Sequence, residues 1–327
     1  MPVAPDVWRI PLPLPGDGLR AVNTYAVRAG DGVVMIDAGW AVAEAETLLE
    51  QGLGAAGFDL SSVQRFLVTH VHRDHYTQAV TVRRRFGTRV SLGRGERPTL
   101  EHMLAVDEVL PAGLVERLRR AGAGELLARL EAEPATEADD RAVWERPDDW
   151  LRHGEVVAVG TRRLTVLETP GHTRGHVVFH DPEARLLFAG DHVLPHITPS
   201  IGFESRPSTS PLARYLSSLR MVGALADSTL LPAHGAPLPS TRSRVADLLA
   251  HHDRRLDETE AAVRRGASTA AAVAELLPWT SRRRAFGELD DFNQLLAVNE
   301  TLAHLDVLAE QGRIGAQHVD AVDHFAV

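Results

Sequence analysis

Short apolar runs, each bounded by polar or turn-forming residues, recur through residues 1–240. Such runs are typical of buried strands, and longer stretches with apolar positions three and four apart are typical of helices. Helical patterns cover residues 41–51 and 74–86. Two halves of strands with flanking helices indicate a layered α/β sandwich. The predicted strands cover residues 7–10, 24–28, 33–37, 66–69, 90–92, 156–159, 164–167, 177–180, 186–189 and 229–231.

Two segments interrupt this rhythm of strands. Residues 94–150 carry leucines at helical spacing and predict a helical insertion, which either only packs on the surface or forms a cap that shapes a substrate pocket. Residues 193–211 predict a long irregular loop, and loops of that length are commonly functional. Its wall-forming candidates are His196, Ile201 and Phe203.

The last segment, residues 241–327, has a helical pattern. Leucine spacing predicts one helix around residues 245–256, a short helix over 271–277 that ends at Pro278, and a third over 292–308. Residues 312–315 then predict the turn into a small hairpin. The segment holds 10 Arg against 14 Asp and Glu, a local balance of −4, which argues against nucleic-acid binding.

The densest candidate chemistry lies between a predicted strand and the helix that follows it. His70, His72, Asp74 and His75 stand within six residues of one another. Neutral imidazoles and carboxylates are ligands of zinc and of non-haem iron or manganese. Alternate side chains of an extended segment share a face, so His70 and His72 are expected to face one point and the residues beyond the turn another.

Three further motifs have the same character, because each places a His or Asp just after a predicted strand and beside a glycine. They are Gly171-His172, Gly190-Asp191 and His234-Gly235. The ends of the strands are where open α/β sheets place ligands and chemistry. Four such motifs after four strands indicate one shared metal site.

In this order the motifs resemble those of the metallo-β-lactamase superfamily, over roughly residues 5–240. The resemblance implies an αββα sandwich with a two-metal site at one edge, residues 1–240 as the catalytic domain, and an insertion over 94–150 that commonly acts as a cap. Three helices and a hairpin over residues 241–327 resemble the winged-helix-like domain that some members carry. The implied ligands are His70, His72 and His172 for the first metal, Asp74, His75 and His234 for the second, and Asp191 for both.

Further roles follow from the same resemblance. Two divalent cations are implied, with zinc the first choice and iron or manganese also compatible. They lower the pKa of a shared water to about 7, so that a metal-bridging hydroxide attacks the substrate, and Asp74 orients it as a catalytic residue. His176 is expected to hold a ligand in place, as is Asp37. His192, His196 and Phe203 are the candidate substrate-binding residues.

Composition limits the possible functions. The chain has 327 residues, 44% of them hydrophobic, and a net charge of −9. It contains no cysteine, which excludes a thiol nucleophile, and its 35 basic residues are all arginine, which excludes Schiff-base chemistry. No run approaches the length of a membrane helix and no signal-peptide pattern is present, so we expect a cytoplasmic monomer or homodimer.

The first hypothesis for the function is hydrolysis of a small-molecule thioester or related ester. The alternatives are a phosphodiesterase or nuclease, a lactonase, and a mononuclear-iron persulfide dioxygenase. Acidity argues against the nuclease, and Leu194 replaces the Tyr that quorum-lactone relatives place three residues after the bridging Asp. The dioxygenase needs only the ligands of the first metal. A non-catalytic member of the family usually loses ligands, whereas all seven are present here.

Overall fold

A computed structural model describes residues 1–15, 19–106, 110–132, 143–206, 208–280 and 282–327. A seven-stranded sheet forms the amino-terminal half, and its strands follow one another in space as they do in sequence. The last four strands of this sheet run parallel to one another. The strands are β1 Pro2–Ala4, β2 Val7–Pro13, β3 Ala21–Ala29, β4 Gly32–Ile36, β5 Val63–Val68, β6 Arg89–Gly93 and β7 Asp149–Leu151.

A five-stranded sheet forms the second half, in the spatial order β12-β11-β10-β9-β8, with only the β11–β12 pair parallel. Its strands are β8 Val156–Val159, β9 Arg162–Glu168, β10 Val177–Asp181, β11 Leu186–Gly190 and β12 Thr229–Pro232. The hairpin of β13 Gly315–Val319 and β14 Val322–Ala326 stands apart from both sheets.

Helices cover the outer faces of the two sheets. Helices α1 and α2 belong to the amino-terminal half, and the helices from α6 onward follow the second sheet. The described helices are α1 Ala43–Ala55, α2 Arg73–Phe86, α3 Arg97–Ala105, α4 Ala112–Arg120, α5 Gly124–Ala132, α6 Pro211–Gly223, α7 Thr241–Arg264, α8 Ala270–Leu276 and α9 Asp291–Glu310.

The layers follow from side chains that alternate across the central strands. In β4, Val34 and Ile36 pack between the two sheets, whereas Met35 packs toward the α1 and α2 side. In β5, Leu67 points between the sheets and Phe66 points outward. A strand buried on both faces is continuously apolar, because successive residues serve different cores. The predicted αββα sandwich is confirmed.

The insertion and the carboxyl-terminal helices share one hydrophobic core on the outer side of the second sheet. Leu114 and Leu118 of α4 lie in the same cluster as Leu302 and Leu305 of α9. Helices α4 and α5 of the insertion therefore pack against the carboxyl-terminal segment, whereas Leu100 of α3 packs in the core of the amino-terminal half. Whether residues 94–150 also act as a cap, and whether residues 241–327 form a separate winged-helix-like domain, stay predictions.

All ten predicted strands are present, and the sequence analysis missed two short ones. Strand β1 has three residues, and so does β7, which lies at the end of the predicted insertion. Three residues carry too little periodicity to be recognised, and β7 is defined by its parallel pairing with β6. Parts of the insertion (107–109 and 133–142) and Pro207 of the predicted loop lie outside the described residues. Within the described residues, no helix is both long and apolar enough to cross a bilayer.

Candidate metal centre

The segment from Thr69 to His72 leads from the carboxyl end of β5 into α2, and His72, with an extended backbone, occupies the N-cap position of that helix. Asp37, just beyond β4, holds this turn. Its carboxylate accepts hydrogen bonds from the Thr69 backbone N–H (2.8 Å) and the Thr69 hydroxyl (3.0 Å). His70 and His72 thus project from a fixed turn, while His75 projects from the first turn of the helix.

Glycines let the other motifs approach this turn. Gly190 has a φ of +49°, and a Cβ there would lie 2.6 Å from Thr69 Oγ1 and 2.8 Å from His176 Nε2. Gly171 has a φ of +145° and packs directly on Tyr215. Only glycine has the space and the backbone freedom for these positions. Asp191 and His172 are thereby brought against the end of β5.

The structure brings all seven predicted ligands together. Their donor atoms form three overlapping groups, within each of which the atoms lie no more than 4.8 Å apart. The groups are His70, His72 and His172; His70, His75 and Asp191; and Asp74, His75 and His234. We call the first group the histidine cluster and the third the carboxylate cluster.

In each of the five histidine rings, one ring nitrogen is within hydrogen-bond distance of an oxygen atom. The second ring nitrogen faces the centre. In this way oxygen partners fix the orientation of a ligand ring. The partners are the Thr69 hydroxyl for His70 Nδ1 (3.1 Å), the Phe203 carbonyl for His72 Nε2 (3.4 Å), Asp37 for His75 Nδ1 (2.9 Å), the Ser200 carbonyl for His172 Nδ1 (2.7 Å) and the Ala21 carbonyl for His234 Nδ1 (2.9 Å).

In the histidine cluster the free nitrogens face one another. His172 Nε2 lies 3.3 Å from His70 Nε2 and 3.1 Å from His72 Nδ1. Burial lowers the pKa of all three rings, that of His72 to about 3, so the rings are neutral. The outer nitrogen of each ring carries the N–H group. The three inner nitrogens therefore direct their lone pairs at one point. That arrangement suits a cation.

The carboxylate cluster has the opposite charge balance. Asp74 Oδ2 lies 3.3 Å from His75 Nε2 and 3.5 Å from His234 Nε2. Burial would lower the pKa of His75, yet the charges of Asp74, Asp37 and Asp191 raise it well above its usual value. Burial likewise opposes the charge of Asp191 at His234, whose pKa rises to about 9. This cluster therefore attracts positive charge, which a proton or a metal ion supplies.

Asp191 lies between the two clusters. Its Oδ2 is 3.5 Å from His172 Nε2, and its Oδ1 is 3.2 Å from His234 Nε2 and 3.7 Å from His75 Nε2. Both Asp191 Oδ1 and His75 Nε2 are buried and lack a partner in hydrogen-bond geometry among the described residues. Buried polar atoms normally have partners, so these atoms fit a site that a metal completes.

The other predicted residues lie around this centre at different depths. His176 stacks on His70 and accepts a hydrogen bond from the Asp191 backbone N–H (3.2 Å). His192 is fully buried against Tyr215, and neither ring nitrogen has a hydrogen-bond partner of good geometry within the part of the chain that the structure describes. His196 is exposed, and Phe203 is partly buried with its carbonyl at His72. Substrate contact by His192, His196 and Phe203 stays a prediction.

The sequence analysis missed the carbonyl groups that orient the rings, at Ala21, Ser200 and Phe203. Every residue has a carbonyl, so no residue type signals this role. Among the described candidate ligands, His72 and Asp74 are the least buried, and the Asp74 side chain is 19% exposed. These two residues therefore mark the side of the centre that is open to solvent.

Comparison with known proteins agrees with this geometry. The family model of the metallo-β-lactamase superfamily matches residues 17–234. The chain belongs to the metallo-β-lactamase superfamily. Members of this superfamily generally bind divalent metals, and the described His and Asp groups could hold them.

Alignments with similar proteins extend over most or all of the chain. A probable metallo-hydrolase of Bacillus subtilis (strain 168), YqjP, is 26% identical over 94% of both chains. A solved structure of a β-lactamase domain protein from Burkholderia ambifaria is 30% identical, has a TM-score of 0.83, and covers 100% of this chain and 93% of its own. The atrochrysone carboxyl ACP thioesterase AgnL7 of Paecilomyces divaricatus is 25% identical over 72% of this chain, which spans only 57% of that protein.

Proposed function

We propose that this protein hydrolyses a thioester or related ester with two divalent metal ions, zinc being the first choice. The observation that carries the proposal is the convergence of seven donor side chains in two clusters that share Asp191. His70, His72 and His172 would hold one ion, and Asp74, His75 and His234 the other. When bound, two such ions lower the pKa of a shared water and stabilise the negative charge that develops on the substrate.

The protein supplies orientation and proton transfer around that pair of ions. Asp37 fixes the His75 ring and the Thr69 turn together, so both clusters depend on one buried carboxylate. Asp74 lies at the open side of the centre, and its Oδ2 faces His75 and His234. In our proposal Asp74 both holds metal and accepts the proton of the attacking water, a role for which a carboxylate within hydrogen-bond reach is suited.

The substrate class is proposed from similarity and from composition. The likeness to an ACP thioesterase, which covers 72% of the chain, supports a thioester. A chain without cysteine cannot form an acyl-cysteine intermediate, so direct attack by water is the route that its residues favour. A dioxygenase that uses only the histidine cluster would leave Asp74 and His234 without a task, whereas both converge on the same centre.

The test combines metal content with a panel of substrates. Protein purified without chelator is analysed for metals and assayed on acyl thioesters, lactones and phosphodiesters. We expect about two metals per chain, and hydrolysis of thioesters above the other classes. Asp74→Asn should lower kcat by about 10²–10⁴-fold, as loss of a general base does. Asp253→Asn, an exposed change on α7, is the matched control. One metal per chain at saturation, or phosphodiesters cleaved best, would contradict the proposal.

A further inference from the structure

A cavity of about 720 Å³ lies between the insertion and the carboxyl-terminal segment. Helix α4 forms one wall, the end of α9 another, and residues 205–206 and 208–210 a third. Small-molecule sites commonly have volumes of roughly 300–1,000 Å³. None of the seven candidate metal ligands lines this cavity, so it is distinct from the metal centre.

Arg117 of α4 lines the cavity although it is only 5% exposed. Its Nε and Nη2 donate to the Asn299 side-chain carbonyl and backbone carbonyl, both at 3.1 Å. Among the described residues, no carboxylate lies within ion-pairing distance of its guanidinium, and no hydrogen bond involves Nη1. A buried charge is normally paired, because desolvation without compensation is costly. Burial lowers the pKa of Arg117, although the charges of Asp306 and Glu204 oppose this shift without forming an ion pair with it.

A second unpartnered donor lines the same cavity. The Ser208 hydroxyl oxygen is buried and lacks a hydrogen-bond partner among the described residues. None of the three acidic side chains that line the cavity forms an ion pair with Arg117 among the described residues. Asp306 pairs with Arg120 at 3.4 Å, the Glu310 carboxylate accepts a hydrogen bond from the Ser210 hydroxyl, and Glu116 is exposed. The unmet capacity of the cavity is therefore for an acceptor with negative charge.

The cavity is next to the metal centre. A Cβ at Gly202 would lie 3.2 Å from the Arg117 guanidinium carbon. Gly202 stands between Ser200, whose carbonyl holds His172, and Phe203, whose carbonyl faces His72. The segment 200–203 therefore has the histidine cluster on one side and Arg117 on the other.

We propose that this cavity is an oxyanion-binding site, in which Arg117 and Ser208 hold a phosphate or carboxylate group. A guanidinium donates two parallel hydrogen bonds to such a group, and a hydroxyl adds a third. The anion is either carried by the substrate at its non-reacting end or free in solution. The first source rests on the proposed thioester function, whereas the binding site itself does not.

Calorimetric titration of the metal-loaded protein with inorganic phosphate tests the site directly. We expect saturable binding that Arg117→Gln weakens by at least about tenfold, since a hydrogen bond to a charged group is lost. Arg117→Lys keeps the charge and should retain part of the affinity. Arg254→Gln, an exposed change on α7, should leave affinity unchanged. Phosphate bound at the metals alone would survive Arg117→Gln, and that result would overturn the proposal.

Ser208→Ala keeps the test decisive if Arg117→Gln fails to fold. This variant removes one hydroxyl from the cavity wall and should weaken phosphate binding by roughly threefold, as loss of a neutral hydrogen bond does. Unchanged affinity in both Ser208→Ala and Arg117→Lys, or no binding by the natural protein, would contradict the proposal. Circular dichroism and metal content verify that each variant is folded.

Steady-state kinetics distinguish the two sources of the anion. The same acyl group is presented on coenzyme A, which carries phosphates, and on N-acetylcysteamine, which carries none. If the substrate supplies the anion, Arg117→Lys raises KM for the coenzyme A thioester only. If neither KM changes while phosphate binding weakens, the site takes a free anion. Should the natural protein cleave neither thioester, the proposed function fails, and calorimetry alone decides the oxyanion site.

Discussion

The histidine cluster and the carboxylate cluster lie side by side, yet they use opposite electrostatics. In the histidine cluster, burial and neighbouring imidazoles keep the rings neutral. In the carboxylate cluster, Asp74 and Asp191 raise the pKa of both His75 and His234 against the effect of burial, and Asp37 adds to the rise at His75. One site thus offers lone pairs with no competing proton, whereas the other must exchange a proton for its metal. Asp191 belongs to both, which makes it the residue whose loss should erase the difference.

Asp191→Ala is therefore expected to have the largest effect. Because its two oxygens face different clusters, this change should remove most metal from both and lower kcat/KM by several orders of magnitude. The fold should persist, because the apolar cores lie away from the site. Elemental analysis and circular dichroism check these outcomes. Retention of two metals would show that Asp191 does not link the clusters.

A pair of single-cluster variants should separate the two sites. His172→Ala removes a donor from the histidine cluster, and His234→Ala removes one from the carboxylate cluster. Each should lose about one metal per chain, with metal affinity lowered at least about 10–100-fold at its own site. His153→Ala, an exposed histidine, is the matched control. Loss of both metals in each variant would mean that the sites fill as one unit.

The ligand set could be predicted from sequence because it lies in short local motifs, each after an apolar strand. His70 to His75 and Gly190-Asp191 are examples, and the glycine signals the close approach that the structure shows. The strands were predictable for the same reason, since β4 is apolar throughout and β5 ends in an apolar run over residues 66–68. Their bounds differ by a few residues, because pairing with neighbours extends them.

Features that depend on distant contacts could not be predicted. The Ser200 carbonyl holds His172 only because the loop after β11 folds back over the histidine cluster. Arg117 is buried by contacts with Asn299, which is 182 positions away in the chain. Glu96 is fully buried, and no local pattern in the sequence indicates this. Local periodicity contains no information on such pairings.

The buried acidic residues that support the two clusters also differ: Glu96 and Glu204 lie near the histidine cluster, and Asp37 lies near the carboxylate cluster. Both glutamates are buried near the histidine cluster, where Glu96 accepts from the Thr173 hydroxyl and Glu204 from the Arg174 backbone N–H (3.1 Å). Each retains one carboxylate oxygen that has no hydrogen-bond partner in the described part of the chain. Burial and mutual repulsion raise the pKa of Glu96 to about 8, and burial raises that of Glu204 to about 7. Asp37, behind the carboxylate cluster, is by contrast surrounded by donors.

This pair should make stability fall as the pH rises. A carboxyl whose pKa is raised in the folded state contributes stability at low pH, which is lost as the pH rises through the folded value. The free energy of unfolding should thus decrease between about pH 5 and pH 9, by an amount on the order of 1–3 kcal/mol. Glu204→Gln should reduce this slope, as measured by urea denaturation at both pH values. An equal slope in Glu131→Gln, an exposed control, and in Glu204→Gln would refute the assignment.

The smallest effects are expected from substitutions at the edges of the two clusters, where they should change only KM. Phe203 lies at the histidine cluster with its ring against Phe292, whereas His196 is exposed beside Gly235, next to the carboxylate cluster. A partly buried aromatic contributes more apolar contact than a solvated imidazole, so Phe203→Leu should raise KM by roughly threefold to tenfold and His196→Ala by less than about threefold. Both should keep two metals and a nearly natural kcat, because neither side chain is a ligand. The measurement is steady-state kinetics on the best thioester of the panel, with metal content determined on the same samples. A larger rise for His196→Ala would place the substrate along the carboxylate cluster instead.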